Sequence, residues 1–209
     1  MLDIIPLTLG MVQTNTFIVA DTISKEAIVI DPADEGNFIA QVASQHEYKI
    51  KAIWITHAHF DHIGGVASLK RAIAYPIKVG LHAADRALWE MQGGASFFGL
   101  QFEIGDLPDL ELYHGQIFKI GEIPFEVRHT PGHTPGHVVF YSNLAGVCFC
   151  GDVIFQGSIG RTDLPGGDFD QLITSIQKNI LTLPDNTRLL CGHGAETSVG
   201  IERFENPFL

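Results

Sequence analysis

The 209 residues, 45% hydrophobic and 18% charged, suffice for one sizeable core and are too few for two ordinary catalytic domains, so a single domain over 1–209 is expected. A formal net charge of −11, with no Lys/Arg cluster anywhere, excludes nucleic acid as a partner. No basic segment precedes an apolar run at the start and no stretch approaches the ~18 apolar residues of a membrane span, which excludes a membrane partner and points to the cytoplasm.

In chain order, residues 4–9, 15–21 and 27–31 are short, rich in β-branched side chains and separated by turn formers, and predict three antiparallel strands. Residues 35–47 place Phe38, Ile39, Val42 and His46 at helical spacing, and 51–55 return to a strand. A helix from about Gly64 carries Val66, Leu69, Ile73 and Ala74; a strand at 77–79 leads to another helix over 82–91. Residues 93–115 mix glycine, Pro108, acids and aromatics and predict a long surface loop, in which Phe97 and Phe98 cover either the substrate or the core.

The second half repeats the style, with strands at 117–120, 125–129, 137–141 and 147–150, a helix over 168–181 and a strand at 188–191. Two sheet-plus-helix halves bury their apolar faces most economically as an α/β protein of four layers, an αββα sandwich. Cys148, Cys150 and Cys191 fit no zinc-ribbon spacing and are expected as reduced thiols in strands.

Four ends of predicted strands carry metal-type side chains. THAHFDH at 56–62 supplies His57, His59, Asp61 and His62 within six residues, imidazoles for a borderline metal and a carboxylate for its charge. If strand geometry continues, His57 and His59 share a face, while Asp61 and His62 come from the turn and serve a second site. TPGHTPGH at 130–137 offers His133 or His137 as a further ligand, CGDVIF puts Asp152 past a buried strand, and CGHG does the same with His193. His46, His82 and His114 stand alone and read as polar surface.

The order HxHxDH, GH, GD, GH resembles the metallo-β-lactamase superfamily over nearly the whole chain. The resemblance implies that His57, His59 and His133 hold one divalent ion, that Asp61, His62 and His193 hold a second, that Asp152 bridges them and that His137 stands behind the ligands. Zinc is the first expectation, with iron or manganese as alternatives, and Asp61 and Asp152 are the candidate catalytic carboxylates. Two such ions lower the pKa of water and polarise a carbonyl, so hydrolysis is the chemistry implied.

Within that superfamily, His62 after the motif aspartate and Asp152 at the bridging position disfavour a lactamase, and His59 in place of a glutamate disfavours a flavodiiron oxidoreductase. GSIGRTDLPGGD at 157–168 and the stretch from Gly192 to the C-terminus look like short bacterial glyoxalase II-like proteins, without the C-terminal helical domain of the long forms. That similarity implies a small-molecule thioester substrate of the S-acylglutathione type, whose thiolate, of pKa about 8.5, leaves without a dedicated acid. Arg161 is expected either to contact the substrate or to pair with Asp163 or Asp168. A mono-iron glutathione persulfide dioxygenase and a lactonase of the same fold are the alternatives.

Overall fold

Alternation along the strands decides the architecture. In the computed structural model, which describes residues 1–209, the first sheet runs β1 (Leu2–Leu9), β2 (Thr14–Asp21), β3 (Glu26–Ile30), β4 (Lys49–Trp54), β5 (Lys78–His82) and β6 (Leu110–Leu112), in that spatial order. Phe17, Val19, Ile28, Ile30 and Trp54 point to one face; Ile18, Ala20, Ala27, Val29 and Ile53 point to the other.

The second sheet contains β7 (Ile117–Ile120), β8 (Ile123–His129), β9 (Val138–Ser142), β10 (Val147–Gly151), β13 (Arg188–Cys191) and β14 (Thr197–Ser198), ordered β14-β13-β10-β9-β8-β7; β11 (Ile154–Phe155) and β12 (Ser158–Ile159) form a separate hairpin. Phe125, Val127, Val138, Phe140 and Phe149 meet the Phe17–Trp54 face in the central core. On the outer faces, Ile39 and Val42 of α1 (Gly36–Gln45) and Leu69 cover the first sheet, while Leu172 and Ile176 cover the second. Three apolar layers between four structural ones make the αββα sandwich, as expected.

The strands of the first sheet are antiparallel across β1–β2–β3 and parallel from β3 to β6. The motif does not end in a simple turn: Asp61 and His62 lie in the short helix α2 (Phe60–Ile63), and after Gly64 and Gly65 the chain re-enters α3 (Val66–Ala72). The helix expected over 82–91 is a 3-10 turn, Ala83–Asp85, followed by α4 (Arg86–Glu90).

The expected loop over 93–115 is partly ordered. Gln92–Phe98 forms 3-10 turns kinked at Gly93 and Gly94, and β6 extends the first sheet, its approach fixed by Asp109 Oδ1, which accepts from Val79 N at 2.8 Å. After α5 (Phe169–Asn179), the C-terminal stretch adds β14 and α6 (Val199–Glu205), neither of which its composition announces. All three cysteines are free and buried, and no helix is long and apolar enough to cross a membrane.

Candidate metal centre

Five strand ends converge on one edge of the sandwich: Asp31 follows β3, the 56–62 motif follows β4, His133 follows β8, Asp152 follows β10 and His193 follows β13. Parallel and antiparallel pairings in the two sheets bring these ends together, so side chains 31 to 193 in the sequence form one cluster. All seven expected ligands are there.

His133 Nε2 lies 2.9 Å from His59 Nδ1 and 3.2 Å from His57 Nε2. Burial lowers the pKa of His57, of His59 to about 3, and of His133. His133 Nδ1 donates to the Arg161 carbonyl at 2.7 Å, and His57 Nδ1 meets Thr56 Oγ1 at 3.0 Å. With those protons engaged outward, lone pairs of neutral rings point at one another, an arrangement that a shared cation satisfies.

Asp61 Oδ2, His62 Nε2 and His193 Nε2 form the second group, with His193 3.2 Å and His62 3.7 Å from Asp61. Asp152 stands between the two groups, with Oδ1 3.3 Å from His62, and Oδ2 3.5 Å from His193 and 3.7 Å from His133. His62 Nδ1 donates to Asp31 Oδ2 at 2.8 Å, which turns its Nε2 toward Asp152 Oδ1, both atoms buried and without a hydrogen-bond partner. Burial opposes charge on His62 and His193, yet the carboxylates of Asp152 and Asp61 overcome it, raising His62 well above its ordinary value and His193 to about 9. Nitrogen and oxygen ligand atoms gathered around two carboxylates that draw positive charge fit divalent cations.

His137 sits behind this cluster. Its ring meets Thr130 Oγ1 through Nδ1 at 2.9 Å and accepts from the backbone N–H of Asp152 at 3.1 Å, fixing the strand end that carries the carboxylate. Gly192 is a close-approach residue: a Cβ there would collide with Asp152 Oδ1 and His62. Arg161 makes a bidentate pair with Asp163 at 2.7 and 2.8 Å on an exposed loop.

Three supporting residues escaped the sequence reading. Buried Asp31 accepts from Thr56 N at 2.7 Å, Thr56 Oγ1 at 2.6 Å and His62 Nδ1; with its oxygens so occupied it orients ligands. Buried Asp85 accepts from Ala58 N, Thr134 Oγ1 and Gly136 N at 3.0, 2.8 and 2.6 Å. Thr14 Oγ1 donates to Asp61 Oδ2 at 3.2 Å. Asp31 and Asp152 share a visible signal, a carboxylate closing an apolar strand; Asp85 reads as an ordinary acid near a helix start. His82, read as isolated, stacks on His129 with ring centroids 4.1 Å apart.

Residues 9–193 match the model of the Metallo-beta-lactamase superfamily, and the chain belongs to that family. Its fold and His/Asp cluster define a metallo-hydrolase of this superfamily. The chain is 39% identical to hydroxyacylglutathione hydrolase GloC of Haemophilus influenzae, over 100% of this chain and 97% of that protein. Among solved structures it is similar to BLEG-1 B3 metallo-beta-lactamase, at 38% identity and a TM-score of 0.91 over 100% of this chain and 99% of the other. TTHA1623, crystallised in a di-iron-bound form, is 39% identical with a TM-score of 0.88, over 98% of this chain and all of that one.

Proposed function

We propose that this chain is a thioesterase that hydrolyses S-acylglutathione-type small molecules. The observation that carries the reading is the convergence of seven side chains with nitrogen and oxygen ligand atoms, among which the buried His62 Nε2 and Asp152 Oδ1 have no hydrogen-bond partner. Its thioester part rests on the 39% identity to hydroxyacylglutathione hydrolase GloC.

His57, His59 and His133 would hold one divalent ion, Asp61, His62 and His193 a second, with Asp152 between them. Bound there, such ions supply a water of lowered pKa and a Lewis acid for the carbonyl. Zinc suits the donor set; the di-iron-bound relative keeps iron as the alternative, and manganese remains a third. Three free, buried thiols suit the cytoplasmic setting proposed with it.

In this reading the oxygen of water adds to the carbonyl carbon, the C–S bond breaks, and sulfur leaves with the bonding pair as a thiolate, which takes the second proton of the water from the new carboxyl group, giving a carboxylate and a thiol. The Asp61 carboxylate, held by Thr14 Oγ1, is the group placed to accept the water's proton, and Asp152 orients the attacking oxygen. The backbone of Arg161 fixes His133; its guanidinium pairs with Asp163 through Nε and Nη2, which leaves Nη1 to meet a substrate carboxylate.

The test combines metal content, turnover of S-lactoylglutathione and oxygen uptake on glutathione persulfide. About two ions per chain with thioester hydrolysis, abolished in His59→Ala and Asp152→Ala, is the expected result. One iron with oxygen uptake indicates the dioxygenase, and hydrolysis of an acyl-homoserine lactone alone indicates the lactonase. The likeness to a B3 metallo-beta-lactamase at 38% identity favours β-lactam hydrolysis as a second reading, so a chromogenic cephalosporin belongs in the same assay.

A further inference from the structure

We infer that an apolar cavity beside His59 receives the acyl group of the substrate, selecting thioesters of apolar acids over hydroxyacyl ones. The inference rests on the thioesterase reading above and names the substrate class of that site.

The cavity, of about 160 Å³, is walled by His59, by Leu88 and Met91 around α4, by Phe97 and Phe98, and by Leu164 on the loop after β12. None of its lining residues is an acid, a lysine or an arginine. Met91, Phe97 and Phe98 are 51%, 60% and 50% exposed around its mouth; three large apolar side chains gathered beside a polar cluster mark a binding surface more than scattered exposure does. The wall is anchored to the cluster itself: Phe98 lies on Phe60 with ring centroids 5.3 Å apart, and Gly93, at φ 63°, runs so close to Phe60 and Ala58 that a Cβ would strike their backbone. Cavity and His59 loop are thus one construction.

The chemistry of the bond assigns which half of the substrate enters. A departing sulfur gathers negative charge, and walls of Leu, Met and Phe offer it no donor, so sulfur faces the polar side, toward His193. The acyl substituent on the same carbon then points into the cavity. A lactoyl hydroxyl there would be desolvated with few partners, whereas methylenes gain from burial. At roughly 30 Å³ per methylene, similar to a water molecule's share of the liquid, the space holds about five carbons.

The experiment measures kcat/KM of the metal-replete enzyme for acetyl, butyryl, pentanoyl, octanoyl and lactoyl thioesters of one thiol. Each methylene up to about pentanoyl should raise kcat/KM by roughly fourfold, octanoyl should gain nothing further, and lactoyl should fall below butyryl. Ala87→Phe, at an exposed helical position whose side chain fills the cavity, should bring the pentanoyl-to-acetyl ratio near one; Leu164→Asp, on the loop, should do the same and guards against a folding defect in the first. Calorimetry with S-alkyl thioethers of the same thiol checks that the preference appears in binding. A flat series, or one unchanged by both variants, overturns the acyl assignment and leaves the thioesterase reading standing. No turnover of any thioester overturns both.

Discussion

Asp31 Oδ2 accepts a hydrogen bond from His62 Nδ1 at 2.8 Å while the same oxygen accepts from Thr56 Oγ1, whose neighbour His57 leans on that hydroxyl. One buried carboxylate therefore sets the tautomer of two expected ligands, one in each group. In Asp31→Asn an amide N–H₂ replaces an acceptor opposite donors, turning His62 or Thr56 away. Metal affinity should fall 10–100-fold, the usual effect of removing such a partner. Competition against a chromophoric chelator reads the loss, and wild-type affinity in a folded variant would sink the assignment.

Asp85 joins the two ligand loops across the molecule: Oδ2 takes the N–H of Ala58, between His57 and His59, together with the hydroxyl of Thr134, beside His133. Burial pushes its carboxyl upward in pKa, and the hydrogen bonds from Ala58, Thr134 and Gly136 work against that rise. Asp85→Ala leaves buried N–H groups of Ala58 and Gly136 unpaired, at ~1–3 kcal/mol each. Urea unfolding should show a loss of roughly 3 kcal/mol, with the midpoint moving and the slope unchanged.

These two acids also mark the limit of what the chain discloses by itself. The αββα layering was readable because period-two alternation in stretches such as NTFIVAD writes both faces of a buried sheet into the sequence. His57, His59, His62, His133 and His193 were readable because imidazoles closing apolar strands have few other uses. Asp31 closes an apolar strand, but its partners lie 25 and 31 positions away, and Asp85, with partners 27 to 51 positions away, is marked by no local pattern at all. β6 is three residues long and exists through its pairing with β5, and α6 depends on Ser198, whose hydroxyl caps Ile201 N, in a stretch without strong periodicity.

His82 provides a pH response remote from the ligands. Burial, then His129 stacked 4.1 Å away, lowers its pKa from 6.5 to about 4, and its Nδ1 accepts from Ala84 N at 3.3 Å, a bond that a proton on that nitrogen abolishes. Because the folded value lies below the unfolded one, the unfolded chain binds the proton more readily as pH falls. The contribution is present above about pH 6.5 and lost progressively down to about pH 4. The urea midpoint should fall between pH 7 and 5 by less in His82→Gln than in the wild type; equal falls would refute the role.

Metal removal tests the cluster as a whole. His62 Nε2 and Asp152 Oδ1 are buried without a hydrogen-bond partner, and Asp61 and Asp152 bring two carboxylates into the same space, so the ligands favour the folded state most when cations are shared among them. A ligand bound only by the folded chain stabilises it by ~4 kcal/mol at a thousand times its Kd. For a domain of this size that corresponds to a Tm higher by roughly 10 °C in zinc than in excess chelator. In Asp152→Ala the zinc-dependent rise should shrink to a few degrees, because the carboxylate between the two groups is gone while the His57–His59–His133 set remains. A full rise in that variant would show that Asp152 is no ligand, and no rise in the wild type would show that the converging donors hold no metal at all.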